Sequence, residues 1–124
     1  MLETEKIEFR VLDRFDAPVS RFAGGDTIIA TGMPAKEMFV VRKGRVAIHV
    51  NKETVEEVGP GGIFGEMALI EHVPRSASVV AIEDCEVVPI NERLFIVLVQ
   101  DTPNFALDVM RVMAGRLRRM NQRI

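Results

Sequence analysis

At 124 residues, with 48% hydrophobic and 27% charged side chains, the chain has the size and composition of one folded domain with a real core, not of a disordered segment. No apolar run approaches the ~20 residues of a membrane span, and the single cysteine, Cys85, excludes an intrachain disulfide. A formal net charge of −2 gives no general reason to expect nucleic acid as a partner.

The first residues, Met1-Leu2-Glu3-Thr4-Glu5-Lys6, are charged and lack a signal-peptide core, so a reducing cytoplasm is the expected setting. Residues 3–15 carry Ile7, Val11, Leu12 and Phe15 at helical spacing, and Pro18 closes that segment. Residues 19–29 read as two short strands around the Gly24-Gly25-Asp26 turn. After a loop over 31–35, residues 38–42 and 46–50 read as strands separated by Lys43-Gly44, and Asn51-Lys52-Glu53 turns the chain into a strand over 54–58. Beyond a glycine-rich stretch, residues 78–82 and 85–90 are two more strands split by Glu83-Asp84. Six or more short strands at this spacing predict a β-sandwich or small barrel and not a parallel sheet. Asn91 suits the N-cap of a helix over 92–100, and Pro103 suits the first turn of a second helix running to the end. Gly115 is expected to weaken that helix by about 1 kcal/mol relative to alanine. The seven phenylalanines and Cys85 read as core.

Charge is unevenly spread. Residues 105–124 hold five arginines (Arg111, Arg116, Arg118, Arg119, Arg123) and one acid, Asp108, of the chain's 16 basic and 18 acidic residues. The tail is therefore near +4 and the body near −6. A basic helical tail can meet nucleic acid, an anionic ligand or the acidic body. The last two are favoured, because no second basic segment or recognition helix follows.

The chain is organised around Gly61-Gly62-Ile63-Phe64-Gly65-Glu66-Met67-Ala68-Leu69-Ile70 and, after Glu71-His72-Val73, Pro74-Arg75-Ser76-Ala77. Glycines let a backbone approach a ligand closely. A short helix starting at Glu66 would aim free N–H groups at an anion. Arg75 supplies a planar, always-charged fork that fits phosphate oxygens. Glu66 would repel phosphate but can accept from hydroxyls such as those of a ribose. An acid for sugar and an arginine for phosphate describe a nucleotide pocket. A plain turn with a capping glutamate and a surface arginine is the bland alternative.

Phe64-Gly65-Glu66-Met67-Ala68-Leu69 followed by Arg75-Ser76-Ala77 resembles the phosphate-binding cassette of the cyclic nucleotide-binding domains, and the similarity runs from about Val19 to the C-terminus. The resemblance implies one domain over 1–124, mainly β with flanking helices (α+β). It comprises an N-terminal helix within 1–18, a β-roll or jelly-roll barrel over 19–90 with the cassette at 61–77 and its short helix, and two C-terminal helices over 91–124. It also implies roles. Arg75 pairs with the cyclic phosphate. Backbone N–H groups around Gly65, Glu66, Met67 and Ala68, and around Ser76 and Ala77, complete the cradle beside Phe64. Glu66 accepts from the ribose 2′-hydroxyl. Ile48 and Val55 line sugar and base. The final helix closes as a lid, with Arg116 reaching the cassette acid. Relatives carry hydroxyl residues on that helix for the base, where this chain has Met120 and Asn121, so base selectivity is open. Asn121 can serve either purine edge and Ser76 a guanine amino group.

The implied ligand is cyclic AMP, with cyclic GMP also accommodated, and no cofactor or metal. His49 and His72 are isolated and make a poor metal pair, no nucleophile–base arrangement is suggested, and no enzyme is expected. Two function classes stand. One is a cyclic-nucleotide sensor acting on an unidentified protein partner. The other is a dimerisation module with a vestigial pocket. Ala106, Met110, Met113, Leu117, Met120 and Ile124 step along the last helix as a coiled-coil seam that a homodimer could use, and Phe105, Val109 and Val112 form a second stripe. Direct DNA or membrane contact is not expected. The starting methionine suggests a natural N-terminus. The chain ends where transcription regulators of this family continue into a DNA-binding domain, so an effector domain cut from a longer regulator is also considered.

Overall fold

The computed structural model describes residues 5–122. A short helix α1 (Phe9–Arg14) leads into eight strands: β1 (Ser20–Phe22), β2 (Thr27–Ile29), β3 (Glu37–Lys43), β4 (Val46–Val50), β5 (Glu53–Val58), β6 (Ile63–Phe64), β7 (Ser78–Ala81) and β8 (Cys85–Asn91). A one-turn helix α2 (Met67–Ile70) interrupts them between β6 and β7, and α3 (Glu92–Asp101) and α4 (Asn104–Asn121) end the described chain. The strands form two antiparallel four-stranded sheets, in the orders β1-β8-β3-β6 and β2-β7-β4-β5. This is the β-roll with flanking helices that the sequence predicts. Among the described residues, no helix is long and apolar enough to cross a membrane.

Strands β3 and β8 read as continuous apolar runs because both of their faces are covered. Successive side chains of a strand point to opposite faces. Met38, Val40, Val88 and Ile90 accordingly pack with α1, α3 and α4, in a core that includes Leu12, Leu98, Phe105 and Val112. Phe39, Val41, Cys85 and Val87 point the other way, into the core between the sheets, with Phe64, Val46 and Val79. Burying one such side chain fully contributes roughly 1.5–3 kcal/mol. Phe39, Phe64 and Phe105 are buried, and Phe9, Phe15, Phe22 and Phe95 pack half-buried against the two cores. Cys85 is buried, and burial pushes its thiol above the ordinary range, helped by nearby Asp84.

Local signals set most of the boundaries. Asn51 and Lys52 take φ of 53° and 68°, the left-handed pair of a two-residue hairpin between β4 and β5. The Asn91 side chain accepts from the Leu94 N–H at 2.9 Å and caps α3 as its sequence suggests.

The N-terminal helix is shorter than its periodicity predicts. It begins at Phe9, after an extended Glu8 that offers no side-chain cap. The preceding backbone is claimed elsewhere: the Ile7 N–H donates to the Gly61 carbonyl at 2.8 Å, and Ile7 is buried in the helical core. The part of that expected helix before Glu5 lies outside the described residues, as do Arg123 and the seam position Ile124.

Gly115 does not interrupt α4, which runs unbroken through it. It is buried and makes room: an added Cβ would collide with Glu5 Oε1 and lie 2.6 Å from Glu5 Cδ. On the same helix Phe105, Val109 and Val112 face the body, whereas Leu107, Met110 and Leu117 are exposed. Of the seam read from sequence, Met110, Leu117 and Met120 are exposed, whereas Met113 packs partly buried against the helical core, so that stripe is open only in part, and exposed Leu107 lies outside it.

Candidate functional site

Ile63, in the helical core, and Phe64, in the core between the sheets, lead the chain into the site and pair with Val40 and Phe39 on β3. The two phenylalanine rings stack 4.9 Å apart. Anchoring β6 on β3 fixes where the next residues emerge. Gly65 then takes φ of +74°, a left-handed conformation that L side chains disfavour. A Cβ there would also lie 2.8 Å from Arg75 Nη1, so glycine is needed twice over. Glu66 occupies the N-cap position of α2, and the Ala68 N–H is committed to the Gly65 carbonyl at 3.2 Å.

Arg75 returns across this turn. Its Nη1 donates to the Gly65 carbonyl at 3.0 Å and its Nη2 to the Glu37 carbonyl at 2.6 Å. These bonds hold the guanidinium in place and leave its other N–H groups for an anion. Among the described residues no carboxylate lies within ion-pair distance of Arg75. Burial pushes its pKa down, against the opposing fields of Glu37 and Glu66. A half-buried cation without a carboxylate partner is a costly arrangement that a bound anion would relieve.

Glu66 is held differently. Arg116 on α4 donates from Nη1 to Glu66 Oε1 at 2.9 Å, from Nε to Glu56 Oε2 at 2.9 Å, and from Nη2 to the Ile63 carbonyl. The Arg116–Glu66 contact expected from sequence is therefore present. Arg119 donates from Nε to the other Glu56 oxygen at 2.8 Å, and Arg118 donates to Glu5 at 2.8 Å. Three of the five tail arginines thus meet acids of the body, as the charge asymmetry suggests. Burial works to raise the Glu56 carboxyl, but the bonds from Arg119 and Arg116 outweigh it and hold it below the usual range.

These groups converge on one cavity of about 390 Å³. Phe64, Gly65, Glu66, Met67, Ala68, Arg75, Ser76 and Ala77 line it between β6 and β7, Ile48 and Val55 line it from β4 and β5, and Arg116 lines it from α4. Asn121 is exposed and does not line it; Met120, one residue earlier, does. The sequence reading also passed over Glu56, Val50 and Val73, which contribute to the wall. The excess of arginine in the tail was the one sequence signal for Glu56, and it did not say which acid would answer. The cavity's charged lining residues are Glu56, Glu66, Glu71, Arg75 and Arg116, and most of the others are apolar. Among the described residues, no group of three or more His, Cys, Asp or Glu is placed to hold a metal ion.

A family model described as "Cyclic nucleotide-binding domain" matches residues 19–102. The chain belongs to that family. The cyclic nucleotide-binding domain is a regulatory binding unit, not a catalytic one. A cAMP-dependent protein kinase regulatory subunit of Hypocrea atroviridis is 36% identical over 75 residues, 60% of this chain but only 16% of the relative. The catabolite activator protein of Thermus thermophilus superposes with a TM-score of 0.76 at 27% identity, over 92% of this chain and 57% of that one. An EAL enzyme in its cGMP-bound form is 33% identical with a TM-score of 0.62, over 85% of this chain and 29% of the other. The domain therefore spans a minor part of that kinase subunit and of that enzyme, and just over half of the activator.

Proposed function

We propose that this domain binds a cyclic nucleotide, cyclic AMP in first place, as a regulatory sensor, with α4 as both lid and output. The observation that carries this reading is Arg75: a half-buried guanidinium with no carboxylate at ion-pair distance among the described residues, facing the same cavity as Glu66. Arg75 takes the cyclic phosphate. Glu66, with Oε1 held by Arg116, offers its second oxygen to the ribose 2′-hydroxyl. Ile48 and Val55 flank sugar and base, and Met120 covers the base in place of Asn121. The kinase regulatory subunit, named for its cAMP dependence, supports cyclic AMP. The neighbour in a cGMP-bound form supports cyclic GMP as a second ligand.

The exposed stripe of Leu107, Met110 and Leu117 favours a second reading of the output, a twin helix from another copy. Ligand and dimer then compete or cooperate for the pose of one helix. In this reading residues 1–124 act as one domain, working in the cytoplasm without direct DNA contact of its own.

The test is calorimetric titration with cyclic AMP and cyclic GMP. Both should bind, with a preference below about a hundredfold, because Ser76 lines the cavity, where its hydroxyl can serve a guanine amino group, while the apolar Ile48 and Val55 favour neither purine. Arg75→Ala should weaken binding by about tenfold or more, the scale of a lost charge-assisted contact. Absence of binding by either nucleotide, or undiminished affinity in the folded alanine variant, refutes the assignment.

A further inference from the structure

The wall between the nucleotide cavity and its neighbour has an unusual construction. A second, more polar cleft of about 440 Å³ lies beside the first, and Glu56 and Arg116 line both. This ion pair is the partition. It is well covered, with side chains 12% and 14% exposed, unlike most of the ion pairs on this surface.

Glu56 serves two arginines at once. Oε2 accepts from Arg116 Nε and Oε1 from Arg119 Nε, at 2.9 and 2.8 Å. Residues three apart share a helix face, so the carboxylate clamps one turn of α4 against β5. The consequence for Arg116 is geometric. A guanidinium is rigid and planar. With Nε fixed by Glu56 and Nη2 by the Ile63 carbonyl, its plane is set and Nη1 has one place to go, at Glu66 Oε1. Remove Glu56, and a single backbone carbonyl remains opposite Glu66 to orient the fork.

We propose that Glu56 is a positioning residue of the binding site: through Arg116 it fixes the Glu66 carboxylate in the orientation that receives a ribose 2′-hydroxyl, and so couples sugar recognition to the seating of α4. This rests on the cyclic nucleotide reading above and extends it to a residue that makes no ligand contact in that reading. Glu56 in this view tunes discrimination between ribose and deoxyribose, and the Arg119 contact sets how firmly. A carboxylate there only to neutralise the arginines of α4 would act on stability and leave that discrimination alone.

Two measurements on Glu56→Gln decide it. The first needs no nucleotide. NMR of the Arg116 Nε–H in the free protein should show a slowly exchanging signal that is lost, or speeded at least about tenfold, in the variant, as for a broken charge-assisted bond. The second compares cyclic AMP with its 2′-deoxy analogue. The ratio of their affinities should shrink several-fold in Glu56→Gln, whereas Arg119→Gln, which spares the Arg116 bond, should shrink it less. An unchanged Arg116 signal overturns the proposal whether or not nucleotide binds. So does an equal loss of affinity for both ligands in a folded Glu56→Gln protein. If the wild type binds neither nucleotide, the function assignment fails, and the Arg116 signal still decides whether Glu56 orients the fork.

Discussion

Replacing Gly115 with alanine sets helix propensity against a specific contact. In an exposed helix interior the change would stabilise by about 1 kcal/mol. Here the new Cβ would collide with Glu5 Oε1 and lie 3.1 Å from Arg119 Nη1. The Glu5 carboxylate would have to leave its notch, giving up its bond to Arg118 at 2.8 Å and its pairing with Arg119 at 3.7 Å. Charge-assisted bonds of a buried carboxylate contribute about 1.5–3 kcal/mol. Arg118 is half exposed, which places this one at the lower end. The balance is a net loss of about 0.5–1 kcal/mol, or a fall in Tm of about 2–5 °C for a domain of this size. Urea unfolding followed by circular dichroism measures it. Repeating the substitution in Glu5→Ala provides the control: with the carboxylate gone, Gly115→Ala should change sign and stabilise, approaching the propensity value. If alanine at 115 stabilises the wild type as much as the Glu5→Ala protein, the Glu5 seat contributes nothing and the reasoning fails.

A pH prediction follows from the depressed Glu56 carboxyl. A group whose pKa is lowered by folding contributes stability above its unfolded value, and that contribution is lost as pH falls through the folded value. The Tm difference between wild type and Glu56→Gln should therefore be full above the ordinary value of 4.5 and shrink below it. A gap that stays constant in acid would contradict the ion-pair assignment. On the open face of α4, Met110→Glu and Leu117→Glu should leave Tm nearly unchanged in dilute solution but abolish any dimer seen by light scattering. A wild type that stays monomeric at high concentration, with and without nucleotide, would reduce the stripe to an exposed surface without a twin.

How much of this was readable beforehand depends on the range of the interaction. The cassette was legible because its needs are local: a left-handed glycine at 65, an acid beside it, and an arginine folding back after a proline. The Asn91 cap was legible for the same reason. The length of α1 was not. Periodicity records that Ile7 is apolar but not that its N–H is claimed by Gly61 across the fold. Strand β6 is two residues long and exists only because β3 pairs with it, so no pattern within residues 63–64 announces it. Gly115 looked like a weak point because the residue that needs its empty space lies at position 5. Glu56 sits in a strand beside exposed Glu57, and only partners 60 and 63 residues further on distinguish the two.

The double covering of β3 and β8 bears on how such a domain can diversify. Every residue from Met38 to Val41 fills one of two cores, so a change there is felt on whichever side it faces. The cassette hangs from these strands and inherits their intolerance. The opposite wall of the cavity is under looser constraint: Val50 and Met120 are exposed, and Val55 is half covered. Substitutions there can accumulate at small cost to folding. In the cyclic nucleotide reading proposed above, ligand preference can drift on that wall between related sequences while Arg75 keeps its place, and residues 50, 55 and 120 are the positions at which to change the cavity lining with least effect on folding.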